Sequence, residues 1–221
     1  MKREKLEQVN RLVQKLGLLF QKVKEAFSAK VVVNSAVARK YETPKRVFPG
    51  MYVYADGLIY PEIIEGRQVM AVVGSVNGSD VLAVCLKEKS LPWSSDWLEV
   101  ETSQDMTSGK EATATILAAA KRTGLKAEAA QWCYGYTYDG VTQGEAFLPS
   151  LTEQEKLYAN KKAINKSLSA LKAQELGGWY WSSSEYGNGD AWIFGMSNGS
   201  RNRNLKYTNV NYSRPVIAIQ L

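Results

Sequence analysis

The stretch from Gly178 to Leu221, GWYWSSSEYGNGDAWIFGMSNGSRNRNLKYTNVNYSRPVIAIQL, alternates two kinds of position. Large, committed residues (Trp179, Tyr180, Trp181, Trp192, Phe194, Pro215, Val216) are separated by runs of Asn, Gly, Ser, Asp and Arg, residue types that favour turns and bury no core of their own. This pattern predicts a packed frame of short strands and loops that carries a polar, substitution-tolerant face, the usual place for binding. Trp181 and Trp192 are each expected to bury on the order of 200 Å² and to anchor the loop between them without touching ligand. Glu185 and Arg214 are expected to form an ion pair that pins the last strand.

Upstream of this segment the texture changes twice. Residues 50–100 read as strands separated by turns (MYVYADG, LIYPEII, QVMAVVGSV, VLAVCLKE). Asn77-Gly78 between two apolar runs predicts a tight antiparallel hairpin with both residues central to the turn. Two helices should follow. The first spans SGKEATATILAAAKRTG, with Lys121 and Arg122 in its last turn and Gly124 as its stop. The second starts after Leu148-Pro149-Ser150, where either Ser150 with Glu153 or Thr152 with Glu155 has capping-box spacing; it breaks near Asn160 and runs on towards Gly177-Gly178.

At the N-terminus, Leu6, Val9, Val13, Leu16, Phe20, Val23 and Phe27 recur at alternating spacings of three and four, a heptad seam. Residues 1–30 are therefore expected to form an amphipathic helix. It either self-associates, with Phe at core positions favouring a trimer, or packs on its own domain, since Leu12, Leu18 and Leu19 widen its apolar surface and Gly17 weakens it. Residues 31–49 read as a linker punctuated by Pro44 and Pro49.

Composition narrows the functions. With 221 residues, 45% of them hydrophobic, the chain can bury a full core. The net charge of +6 comes from scattered Lys and Arg, and outside the final segment there is no basic stripe interleaved with aromatics of the kind that binds nucleic acid. Histidine is absent, which removes most transition-metal sites and most nucleophile–His pairs. The two cysteines, Cys85 and Cys133, have apolar or aromatic neighbours and read as two buried thiols or as one disulfide. Charges throughout MKREKLEQVNRLVQKLGLLF argue against a secretory signal, and no window has the length of a membrane span.

In order along the chain stand Ala129, Ala130, Trp132 and Cys133, then FLPSLTEQEKLYANKKAINKSL (147–168), YWSSSEY (180–186), Ala191-Trp192, Ser197-Asn198-Gly199, Lys206 and Arg214-Pro215-Val216. This series resembles a bacterial and phage family with a C-type-lectin-like fold, and within it the variable proteins of diversity-generating retroelements, whose last segment is rewritten by adenine-directed mutagenesis. The resemblance covers about residues 50–221 and is densest over the last seventy. It implies an α+β, C-type-lectin-like domain with antiparallel strands, two helices and an irregular C-terminal segment, preceded by the N-terminal helix. It also implies a variable segment at about 179–218 on a fixed frame of Trp181, Glu185, Trp192, Lys206 and Arg214.

Mutation of Asn codons at adenines yields Asn, Ser, Gly, Asp, Tyr, Arg, Thr and Ile. Gly187, Asn188, Gly189, Asp190, Ile193, Gly195, Arg201, Asn202, Arg203, Asn204 and Tyr207 fall in that set and are the expected ligand-facing positions, with Asn209 and Asn211 extending it. The implied function is non-enzymatic binding of a protein or carbohydrate receptor on a target cell, with the protein carried on a phage virion, or in the bacterial cytoplasm before assembly. No cofactor and no metal are expected. Formylglycine-generating oxidases share the fold but use cysteines near the C-terminus, and no thiol follows Cys133. Calcium lectins gather oxygens from Glu-Pro-Asn, Gln-Pro-Asp and Trp-Asn-Asp triplets, which do not occur here. The alternatives are a fixed adhesin or structural particle subunit and a calcium-independent carbohydrate-binding module.

Overall fold

The computed structural model describes residues 41–100 and 107–221, together with Gln21. The chain divides into two units, Met1–Glu42 and Thr43–Leu221. The expected N-terminal helix and its self-association lie outside the described residues, as does residues 31–40 of the expected linker. The second unit starts before Gly50: Thr43 Oγ1 accepts a hydrogen bond from Ile59 N at 3.0 Å, and Val47 is buried.

Along the second unit run β1 (Tyr52–Tyr54), β2 (Ile59–Tyr60), β3 (Val69–Asn77), β4 (Asp80–Cys85) and β5 (Lys89–Leu91), then α1 (Gly109–Thr123), α2 (Glu128–Tyr134), β6 (Ala146–Phe147), α3 (Leu151–Ala159) and α4 (Lys161–Ala170). The last segment holds β7 (Trp179–Glu185), β8 (Asp190–Gly195), β9 (Arg201–Leu205), β10 (Asn211–Ser213) and β11 (Val216–Gln220). The class is α+β. One sheet has the order β2-β1-β3-β4-β11-β6, the other β5-β10-β7-β8-β9. Pairing is antiparallel except between β7 and β10, which run parallel with Tyr180 beside Tyr212. The C-terminal segment is thus more regular than expected: four of its strands build most of the second sheet, and β11 crosses to the interior of the first.

Local chemistry explains the boundaries. Ser108 Oγ caps α1 by accepting Glu111 N, and Gly124, at φ 74°, closes it in the left-handed conformation that glycine tolerates. Of the two possible capping boxes, Ser150 with Glu153 forms: Ser150 N donates to Glu153 Oε2 at 2.8 Å and Glu153 N to Ser150 Oγ at 3.2 Å. The helix breaks at Asn160 as expected, but α4 stops at Ala170, well short of Gly177. Two helices were expected and four are described, because the break makes two elements of one and the short α2 carries no side-chain cap to announce it. In the β3–β4 hairpin Asn77 pairs with Asp80, so the central pair is Gly78-Ser79, one residue later than expected, with only Gly78 (φ 61°) left-handed. LIYPEII yields only the two-residue β2, since Pro61 cannot extend the ladder.

Two apolar clusters form the core. One packs α1 and α2 against the five-stranded sheet through Trp93, Ile116, Ala120, Trp181, Ala191 and Ile193; the other lies on the six-stranded sheet around Met51, Val73, Cys85, Tyr136 and Ile217. Trp132 packs against both. Cys85 and Cys133 are free, fully buried thiols, one in each cluster, and burial pushes both pKa values up, so neither is a ready nucleophile. Among the described residues no helix is long and apolar enough to cross a membrane.

Candidate ligand-binding face

Strands β7, β8 and β9 form two consecutive hairpins, and the alternation of side chains across them sorts the expected site residues. Asp190, Trp192 and Phe194 of β8 pair with Leu205, Arg203 and Arg201 of β9, while Ala191 and Ile193 pair with Asn204 and Asn202. Paired residues share a face. The second face is the one that buries Ala191 and Ile193 on the α1–α2 core. The first meets α3, where Tyr158 packs on Phe194 with ring centroids 5.6 Å apart and Arg201 forms an ion pair with Glu155.

The expected ligand-facing set therefore does not lie on one surface. Arg201 and Arg203 project on the α3 side of the edge strand β9; Asn202 and Asn204 project on the other, where the Asn204 amide reaches Asn211 Oδ1 at 3.4 Å. Ile193 and Gly195 leave the set altogether. Ile193 is core, and a Cβ on Gly195 would stand 2.7 Å from Asn198 Oδ1 and 3.2 Å from the Trp179 ring. Gly187 and Gly189 behave differently: a Cβ on Gly187 meets nothing within 4 Å, and one on Gly189 only Leu205 Cδ2 at 3.9 Å. Of the positions expected to extend the set, Asn209 is half-buried and Asn211 is buried.

What remains is a patch around the β7–β8 turn. Tyr186, 45% exposed, meets Trp192 edge-on at 4.9 Å, and the Arg203 guanidinium lies 4.4 Å above the Tyr186 ring and 3.9 Å from Asp190. Trp192 was expected to be core; it is half-buried and part of this patch, because it shares the face of Asp190 and Arg203. Past the end of β9, Trp97 is 59% exposed and its ring lies 6.1 Å from that of Tyr207. Tyr186 and Trp97 were not among the expected residues. Tyr186 was legible as the first residue after a buried run and next to a Gly-Asn-Gly turn; WSSDWLE gives no comparable signal for Trp97.

Beneath the patch lies a buried charge pair. Lys206 is fully enclosed: Nζ is paired with Glu185 Oε1 and donates to Leu98 O at 2.7 Å and Asn188 O at 3.1 Å, and it lies 4.9 Å from the Trp93 ring. Its backbone N donates to Gly189 O at 2.9 Å, so one residue holds the β7–β8 turn from two directions. Glu185 Oε1 also accepts Val100 N at 3.1 Å. Burial pushes the Glu185 carboxyl above its ordinary value and the Lys206 ammonium below its own; the hydrogen bond and charge of each partner oppose that shift.

The expected Glu185–Arg214 pair does not form. Arg214 instead binds Glu88 through Nε at 3.0 Å and Nη2 at 2.9 Å, and donates to Cys85 O, Leu86 O and Gln174 O. It pins the β10–β11 junction, as expected of it, with a carboxylate far from Glu185 in sequence. Between Trp181 and Glu185 the β7 register slips, and the three serines fill the bulge. Ser182 Oγ donates to Trp192 O at 2.8 Å, Ser183 N to Pro149 O at 2.9 Å, and Ser184 Oγ accepts Leu151 N at 3.1 Å, which ties the frame to the start of α3. Trp181 is fully buried, with its indole N donating to Leu91 O at 2.8 Å.

No protein-family profile matches this chain, and no curated protein does. Among solved structures it is similar to a fimbrial protein from Bacteroides ovatus, with a TM-score of 0.62 and 15% sequence identity over 79% of this chain. The match covers 49% of that protein, so the chain spans about half its length. The two share a fold.

Proposed function

We propose that this chain is a non-enzymatic binding protein, the variable protein of a diversity-generating retroelement, with a C-type-lectin-like domain that offers replaceable side chains to a protein or carbohydrate receptor on a target cell. One observation carries the reading: a polar segment, the β7–β8 turn with the exposed edge strand β9, is held by the buried Lys206–Glu185 pair. A surface can vary only where its backbone is held by residues that do not. Here the turn is held through its carbonyl groups, which every amino acid supplies, so Gly187, Asn188, Gly189 and Asp190 can change without loosening it. Arg201, Asn202, Arg203, Asn204 and Tyr207 extend the replaceable set along both sides of the edge strand.

In this reading residues 1–30 self-associate, and a trimer engages several receptors at once, which raises avidity by orders of magnitude without new contacts. The particle that carries the protein is a phage virion. The deciding observation is in the flanking DNA, which should hold a reverse-transcriptase gene and a near-copy of the segment coding for residues 179–218 that differs only at adenines. Absence of both overturns the reading. The fold shared with a fimbrial protein favours a second one, a fixed adhesin subunit of a surface fibre. That reading expects one unchanging segment across isolates.

A further inference from the structure

At the edge of the five-stranded sheet opposite β9, where β5 and β10 lie, an open cavity of about 620 Å³ is walled by residues 86–88, residues 171–174, Asp139 and Tyr212. None of these belongs to the β7–β9 face. The floor is rigid, because Glu88 receives both Arg214 and the Tyr180 hydroxyl, at 2.8 Å from the latter. Over it the Tyr212 ring lies 5.4 Å from the Tyr180 ring, with 41% of the residue exposed. Beside Asp139, the exposed Tyr138 ring carries Lys87 Nζ at 4.0 Å.

Among the described residues, the only two non-glycine positions with positive φ are Asp139 (59°) and Lys172 (56°), and both line this cavity. Asp139 sits in an Asp-Gly turn, where the left-handed conformation is common. Lys172 is different. It is the residue just past the end of α4 in a Schellman motif, with Ala173 N donating to Leu168 O and Lys172 N to Ser169 O, both at 2.9 Å. Glycine is the usual occupant there, and a side chain at this φ is strained. Lys172 is exposed and forms no ion pair among the described residues, so nothing in the fold compensates for the strain. Strain of this kind collects at binding sites.

The geometry points to this cavity as a second, fixed binding site, for a short oligosaccharide that carries a carboxylate. The exposed Tyr212 ring matches the C–H face of a pyranose, Lys172 and Lys87 supply ammonium groups for the carboxylate, and Asp139 with the 171–174 backbone supplies acceptors for hydroxyls. The volume falls within the range of roughly 300–1,000 Å³ of small-ligand sites. Because the site is separate from the β7–β9 face, it stands whether or not that face varies.

The test is a panel of uronate- and sialate-terminated di- and trisaccharides, each with its carboxyl-reduced neutral counterpart, titrated against the full chain by calorimetry. At least one acidic member should bind, with its neutral counterpart weaker by about tenfold or more, the loss of one charge-assisted contact. Tyr212→Ala and Lys172→Gly should each weaken binding to a similar degree, while Arg203→Ala, on the other face, leaves it unchanged. Lys172→Gly should at the same time raise the melting temperature by about 2–4 °C, which separates a lost ligand contact from a damaged fold. A panel without an acidic binder, or a Lys172→Gly variant that binds as tightly as the native chain, overturns the assignment.

Discussion

Lys206→Met removes the cation from a fully buried site. Glu185 is left as a buried, uncompensated carboxylate, and Leu98 O and Asn188 O lose the donor that stands 2.7 and 3.1 Å away. Removing one member of a buried ion pair costs about 3–5 kcal/mol. For a domain of this size each kcal/mol corresponds to about 2–4 °C, so the melting temperature should fall by roughly 6–20 °C. The loss should also depend on pH in a defined direction. Burial already raises the Glu185 pKa, and without Lys206 it rises further. A carboxyl whose folded pKa lies above its unfolded value stabilises below the unfolded pKa and loses that contribution as pH rises through the folded one.

At about 1.36 kcal/mol per pH unit, lowering the pH from about 7.5 to about 5.5 should recover up to about 2.7 kcal/mol of the variant's deficit relative to the native chain. Adding Glu185→Gln, which removes the orphaned charge and keeps an acceptor for Val100 N, should recover part of the loss at neutral pH and show strong non-additivity. Urea unfolding followed by tryptophan fluorescence measures all of these, with Trp93 beside the substituted position as a local reporter. A Lys206→Met variant within about 0.5 kcal/mol of the native chain at neutral pH, or a deficit identical at both pH values, would refute the role assigned to the pair.

Alkaline conditions should weaken the fold. Burial raises the pKa values of Cys85, Cys133, Tyr54, Tyr136 and Tyr180 above ordinary values of 9.0 for the thiols and 10.0 for the phenols. Their contribution is complete below those values and is lost as pH rises beyond them, whereas the lowered Lys206 pKa acts in the opposite sense. Five groups outweigh one, so urea midpoints should fall between about pH 9 and 11, and midpoints that stay level there would contradict the burial of these groups. Gly195→Ala should cost about 1–3 kcal/mol by overpacking against Asn198 and Trp179, while Gly187→Ala, with open space around it, should stay within about 0.5 kcal/mol; equal thermal shifts would mean that frame and face have been confused. Light scattering of the full chain and of one starting at Thr43 should give different oligomer masses, and monomers in both would reject self-association through residues 1–30.

The alternation of aromatic and polar residues from Gly178 onwards made part of the frame legible: Trp181 is buried as its type suggests, whereas Trp192, of the same type, is half-buried. Strand register was not legible. Arg203 and Asn204, being consecutive in a strand, take opposite faces; which of them joins Trp192 depends on the pairing of β9 with β8, which sets Arg203 beside Trp192 and Asn204 beside Ala191. Composition marked Ile193 as replaceable only because adenine mutagenesis can produce isoleucine; its pairing with the Trp181 side of the sheet makes it core. The partner of Glu185 was misread for a related reason. Lys206 and Arg214 are both cations within reach along the sequence, and only the β9–β10 connection, whose Lys206 carbonyl accepts Trp93 N and Ser94 N, brings the lysine under the turn. The end of α4 shows the same limit: nothing before Gly177 marks a stop, since the terminating left-handed residue is a lysine.

A library randomised at Gly187, Asn188, Asp190, Arg201, Asn202, Arg203, Asn204 and Tyr207, displayed and sorted for protease resistance, tests most directly whether a held frame carries a replaceable face. A control library randomised at Ser182, Ser183, Ser184, Ile193 and Gly195 provides the comparison. Most clones of the first library should remain folded and yield binders to unrelated receptors, while few clones of the second survive. Equal survival in the two libraries, or a first library as depleted as the second, would contradict the division of this segment into frame and face.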